Sequence, residues 1–115
     1  MYKFFRFVFY SKFRRPVSTI ELYACDKRAA LAHAKMKCLD ENVRGYMVQE
    51  HKLDRAFCIS EIEKNDYSMR IGACGLSFLC DGTIDVWDWN GNHTIHTDVL
   101  DAIDTFIMGV NSIGR

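Results

Sequence analysis

No uncharged stretch of this chain approaches the roughly 18 residues that a membrane-spanning helix requires, so no membrane partner is expected. The opening, MYKFFRFVFYSKFRR, lacks the apolar segment and small-residue cleavage site of a secretory leader, because Lys3 and Arg6 interrupt it. No pair among the five cysteines (Cys25, Cys38, Cys58, Cys74, Cys80) has the two-residue gap that lets two thiolates reach one zinc. Their odd number and scattered spacing also speak against an extracellular disulfide framework. Reduced core thiols in a cytoplasmic protein are the expectation. Internal repeats, low-complexity tracts and linkers are lacking as well, which excludes solenoids and disordered tails.

A surplus of charge is missing too, with 15 Lys/Arg against 15 Asp/Glu. The sum conceals a division. From Met1 to Lys37 there are nine basic residues against two acidic, and the rest of the chain carries six against thirteen. A basic and an acidic pole result if folding keeps the halves apart, and nothing results if it mixes them.

What is present suits one domain over 1–115. About half of the residues are apolar and a quarter charged. A chain of this length buries about two-thirds of its unfolded surface and needs no staple. Residues Lys3 to Tyr10 are rich in Phe, Val and Tyr and read as a strand. Phe5, Phe7 and Phe9 share one face, and Phe4, Arg6, Val8 and Tyr10 the other. A strand apolar on both faces is central in its sheet or forms a dimer seam, so a homodimer stays open. A basic connection, Ser11 to Arg15, leads through Pro16 into a second strand, Val17 to Ala24, as a hairpin. Asp26 is placed to cap a helix through about residue 39, with Ala30, Leu31, Ala34 and Cys38 as a thin apolar stripe. Gly45 to His51 reads as a strand. The stretch 55–64 fits strand and helix periodicity alike, and a strand paired with its predecessor through a turn near Asp54 is expected.

The last third is punctuated by Asp81-Gly82 and Asn90-Gly91, dipeptides that favour tight turns. They divide Gly75–Cys80, Thr83–Trp89 and Asn92–Thr97 into an antiparallel meander, preceded by a short strand at Tyr67–Ile71. Thr97 or Asp98 then caps a final helix. Its apolar face is Val99, Leu100, Ile103, Phe106, Ile107 and Val110. The order, ββα then a β-meander and a C-terminal helix, gives an α+β fold of mostly antiparallel sheet with helices packed on one face.

No spacing compels a chemistry. Cys74 and Cys80 share strand parity but lie about 20 Å apart in extended chain. His93 and His96 face opposite sides of a regular strand, leaving only His96 with Asp98 at a strand-to-helix junction. No metal or other cofactor is expected. Gly72-Ala73-Cys74-Gly75 resembles a nucleophile turn and supports a small cysteine-dependent enzyme, although nothing nearby lowers the thiol pKa. The same tetrapeptide lacks the glycine spacing and lysine of a phosphate loop. Asp85 and Asp88 face apart, which disfavours a glycosidase-like pair.

Two surfaces remain. Trp87 and Trp89 share strand parity with Thr83 and Asp85, opposite Ile84 and Val86. If the Ile/Val face is the core, two tryptophans line an acidic outer surface, a pattern that suits a protein-binding hot spot; if the Trp face is the core, Asp88 marks a frayed edge, and parity alone does not choose. Asp98, Asp101 and Asp104 on the last helix adjoin it as an acidic row. The second surface is basic and aromatic: Lys12, Arg14 and Arg15 beside the first strand, with Lys27, Arg28, Lys35 and Lys37 on the first helix, suit a nucleic-acid partner, Lys27 and Arg28 being the helix residues chosen as contacts. The first strand departs from the aromatic-and-glycine signature of an RNA-recognition strand.

In its aromatic strands, acidic end and absence of a catalytic signature, the chain resembles small phage-encoded inhibitors, including anti-CRISPR-type proteins. That resemblance implies a non-enzymatic, stoichiometric inhibitor or regulator of a larger protein or nucleoprotein complex, presenting charge that mimics nucleic acid.

Overall fold

A computed structural model describes residues 1–38 and 42–112. Its class is α+β, with antiparallel sheets of three and four strands and three helices. The chain groups into two compact units, Met1–Lys52 and Leu53–Arg115.

In the first unit, β1 (Lys3–Ser11) lies between β2 (Pro16–Ala24) and β3 (Val43–Lys52), antiparallel to both. The central place follows from its two apolar faces. Phe5, Phe7 and Phe9 stack in file, with centroids 6.3 and 6.2 Å apart, and are buried. Each such ring removed from water contributes roughly 2–3 kcal/mol. Pro16 opens an edge strand, where its missing N–H costs least. Asp26 caps α1 (Lys27–Lys37) by accepting from the Ala29 N–H at 2.8 Å. Ala30 and Ala34 pack fully buried in the cluster of the three phenylalanines, their small side chains letting the helix approach closely. Lys35 and Lys37 suit the negative end of the helix dipole.

The second unit opens with a correction. Residues Arg55–Lys64 form a helix, α2, rather than a strand. Asp54 is its N-cap, accepting from the Phe57 N–H at 2.9 Å, and is no hairpin turn. Leu53 before the cap and Cys58 at the fourth helical position are both buried, the pairing of a hydrophobic staple. Ile62 follows Cys58 by four residues and is the other buried residue of the helix. The Tyr67 N–H returns to the Ile62 carbonyl as Asp66 and Tyr67 adopt left-handed backbone, ending the helix.

The meander follows as β4 (Ser68–Ile71), β5 (Cys74–Phe78), β6 (Ile84–Trp87) and β7 (His93–His96), hydrogen-bonded in that order. Carboxylates hold both predicted turns. Asp81 Oδ1 accepts from the Thr83 N–H and hydroxyl, and Asp88 Oδ1 from the N–H groups of Asn90 and Asn92. Asp98, the expected alternative to Thr97, caps α3 (Val99–Val110) through the N–H groups of Leu100 and Asp101. The helix buries Ala102, Ile103, Phe106 and Val110 and packs against β5, β6 and β7. Val99 and Leu100, expected on that face, are 40% and 41% exposed. They belong to the first turn, and the stripe facing the sheet starts one turn later.

Among the described residues no helix is long and apolar enough to cross a membrane, and no buried residue is polar or charged.

Candidate functional site

Burial settles the two faces of β6. Ile84 and Val86 are buried, so the alternate residues Asp85 and Trp87 lie on the face turned away from the core. Register then builds a row across three strands: Gly75 on β5, Trp87 on β6 and His93 on β7 are direct cross-strand partners. The absence of a side chain at Gly75 makes room for the indole. A Cβ at that position would lie 2.0 Å from Trp87 Cζ2 and 2.3 Å from Cε2. On its other side Trp87 stacks with the His93 ring, centroids 5.6 Å apart and planes 26° from parallel. His93 Nδ1 in turn lies 2.9 Å from Asp85 Oδ1 and 3.1 Å from Oδ2. Ile95, opposite Asp85, is 59% exposed. A half-buried indole is thereby held flat between a glycine floor and an imidazole wall, beside a carboxylate and an open aliphatic side chain. His93, Ile95 and Gly75 escaped the sequence reading, because their membership depends on register, across the 88–92 turn for His93 and Ile95 and across the 79–83 turn for Gly75.

Trp89 does not share this face. β6 ends at Trp87, and the Asp88 turn redirects the chain. The Trp89 indole lies over Gly72 and donates from Nε1 to the Val110 carbonyl at 3.0 Å, tying the meander to the end of α3. The acidic row of α3 is divided as well. Asp98 is occupied by its capping bonds, and Asp104 makes a two-pronged pair with Arg55 of α2. That hydrogen bond, with the guanidinium charge, holds the Asp104 carboxyl below the usual range. Asp101 is exposed in the first turn.

The basic candidates separate in a similar way. Lys12, Arg14 and Arg15 are exposed at the β1–β2 turn, whereas Lys27 and Arg28 start α1 beyond the far end of β2. Nine residues of strand put roughly 30 Å between these groups. The residues that α1 and β3 bring towards the turn are instead Lys35 and Arg44, and with them Tyr46. Counted by unit, Met1–Lys52 holds eleven Lys/Arg against five Asp/Glu, and Leu53–Arg115 four against ten.

Cys74 is fully buried on the core face of β5, and burial, with Asp88 adding to it, pushes its thiol above the ordinary value. Burial also takes Cys58 up to about 12. Both changes disfavour the thiolate that a nucleophile needs. Alkylation of the native protein by iodoacetamide at pH 8, read by peptide mass spectrometry, is expected to modify the exposed Cys25 and Cys80 and to spare Cys58 and Cys74. Rapid modification of Cys74 would restore the cysteine-enzyme reading. Among the described residues no three His, Cys, Asp or Glu side chains gather as a metal site, His96 and Asp98 included.

Compared with protein-family models, with curated proteins and with solved structures, the chain matches none.

Proposed function

We propose that the chain is a non-enzymatic protein-binding module whose contact face is the outer surface of β5–β7, with Trp87 as anchor and Asp85, His93 and Ile95 around it. The observation that carries this reading is the seating of Trp87 between Gly75 and His93. An aromatic ring already held in one pose loses little freedom on binding, and central, rigid aromatics dominate interface energies. The surplus of six acidic charges on Leu53–Arg115 favours a basic partner surface, such as one that otherwise holds nucleic acid. Asp98, Asp101 and Asp104, expected beside the tryptophans, lie on α3 or at its N-cap, and α3 packs on the opposite, buried face of β6, so they add to the unit's charge and not to the contact face. The finer reading is an inhibitor or regulator of a larger protein or nucleoprotein complex in the cytoplasm, of the phage anti-defence, anti-CRISPR kind. That part rests on the resemblance in style.

The test is capture on the tagged protein from nuclease-treated bacterial lysate, run beside Trp87→Ala and Asp85→Asn. The expected result is a defined protein retained by the parent chain. Trp87→Ala should lose it by about 30-fold or more, the effect of removing a hot spot worth about 2 kcal/mol. Equal retention by the Trp87→Ala protein would refute this contact face.

A further inference from the structure

We propose that one end of the Met1–Lys52 unit, made by the β1–β2 turn, the last turn of α1 and the start of β3, binds single-stranded nucleic acid. The site is independent of the Trp87 face. Lys12, Arg14 and Arg44 line an open groove of about 470 Å³ together with Tyr10, Tyr46 and Met47. A neighbouring cavity of about 530 Å³ opens on the other face of the same sheet, where Phe9 lies with Lys35 of α1, and shares Arg44, Gly45 and Tyr46, so the two meet at the β3 edge. Phe13 at the tip is 73% exposed, and the Lys12 ammonium stands 5.1 Å from its ring centroid. No described carboxylate pairs with Lys12, Arg14, Arg15 or Lys35.

Gly45 stands opposite Tyr10, and a Cβ there would meet nothing within 4 Å, so the surface beside the tyrosine is open at this point. Arg14 holds a left-handed backbone, φ 59°, at a position where glycine fits without strain.

Exposed rings alternating with cations favour nucleic acid over an acidic peptide, because bases stack on the rings while phosphates meet the charges. A carboxylate-bearing chain would use the charges alone. The unit's six surplus positive charges add attraction at longer range.

The experiment measures fluorescence anisotropy of a fluorescein-labelled 15-nucleotide oligothymidylate with the full chain at 50 and 200 mM salt. Binding at 50 mM should weaken about 50-fold at 200 mM if about four phosphates are neutralised. Arg14→Gly should weaken binding by about fivefold without lowering the melting temperature. Gly45→Leu, which puts a bulky apolar side chain into the open space beside Tyr10, should weaken it by about tenfold in a folded protein. Lys27→Gln, at the far end of the unit, should leave it unchanged. The proposal is overturned if anisotropy does not change at 50 mM, or if Lys27→Gln costs as much as Arg14→Gly. It is also overturned if poly-glutamate at equal charge competes as well as unlabelled oligothymidylate, which would assign the groove to an acidic protein.

Discussion

The Trp89→Ala protein is expected to lose about 3 kcal/mol of stability, the lower end of the range for deleting a large aromatic, because the ring is only partly buried. Three contributions are removed together. The indole fills the space above Gly72, where a Cβ would come within 2.5 Å of the ring. Its N–H satisfies the Val110 carbonyl, one of the last-turn acceptors that α3 cannot satisfy internally. The bond also joins the end of β6 to a helix that packs on the same sheet, so its loss loosens two elements. The melting temperature should fall by about 15 °C for a chain of this size. Trp89→Phe keeps most of the ring and loses the hydrogen bond, so it should cost about 1 kcal/mol. Trp87→Ala, which removes a half-buried ring from an outer face, should cost well under half as much as Trp89→Ala. Thermal unfolding followed by circular dichroism compares the three directly. Equal losses for Trp87→Ala and Trp89→Ala would remove the distinction between contact residue and tie.

That distinction marks where parity stops informing. Alternation correctly separates Ile84 and Val86 from Asp85 and Trp87, because β6 is regular over those four residues. Extended by two residues it puts Trp89 beside Trp87, yet the Asp88 carboxylate has already closed a turn by binding the N–H groups of Asn90 and Asn92. The caps at Asp26 and Asp98 were legible because an acceptor preceded an apolar stripe in both cases. Asp54 offered the same acceptor, but α2 buries only Cys58 and Ile62, too few positions to define a helical period. The buried Leu53 just before the cap was the signal that favoured a helix. The strands themselves were legible, and their division into two sheets was not. The reassignment of 55–64 to α2 also removes the expected pairing of that segment with β3, and β3 and β4 fall in different sheets. The basic set was half legible. Lys12, Arg14 and Arg15 declare the turn by themselves, and Lys35 was offered with the first helix, whereas Arg44 joins only because β3 begins beside the hairpin end.

The seating of Trp87 can be disturbed without deleting the ring. Gly75→Ala puts a methyl group 2.0 Å from Trp87 Cζ2, and carbon atoms need about 3.5–4 Å, so the indole must lift by about 1.5 Å or more. Because the ring is half-buried on an outer face, it can move outward without forcing the core apart. Gly75 is not among the residues of left-handed backbone, and alanine suits the strand at least as well. The stack on His93 should be lost, and with it the pose that makes Trp87 an anchor. Capture should therefore fall by about tenfold or more while every side chain of the contact face remains present. The most direct measurement is capture from nuclease-treated lysate by the Gly75→Ala protein, with its melting curve recorded on the same sample. A folded protein whose capture falls as far as that of Trp87→Ala is the predicted result. A folded Gly75→Ala protein that captures as well as the parent chain would contradict the claim that the seated Trp87 is the contact.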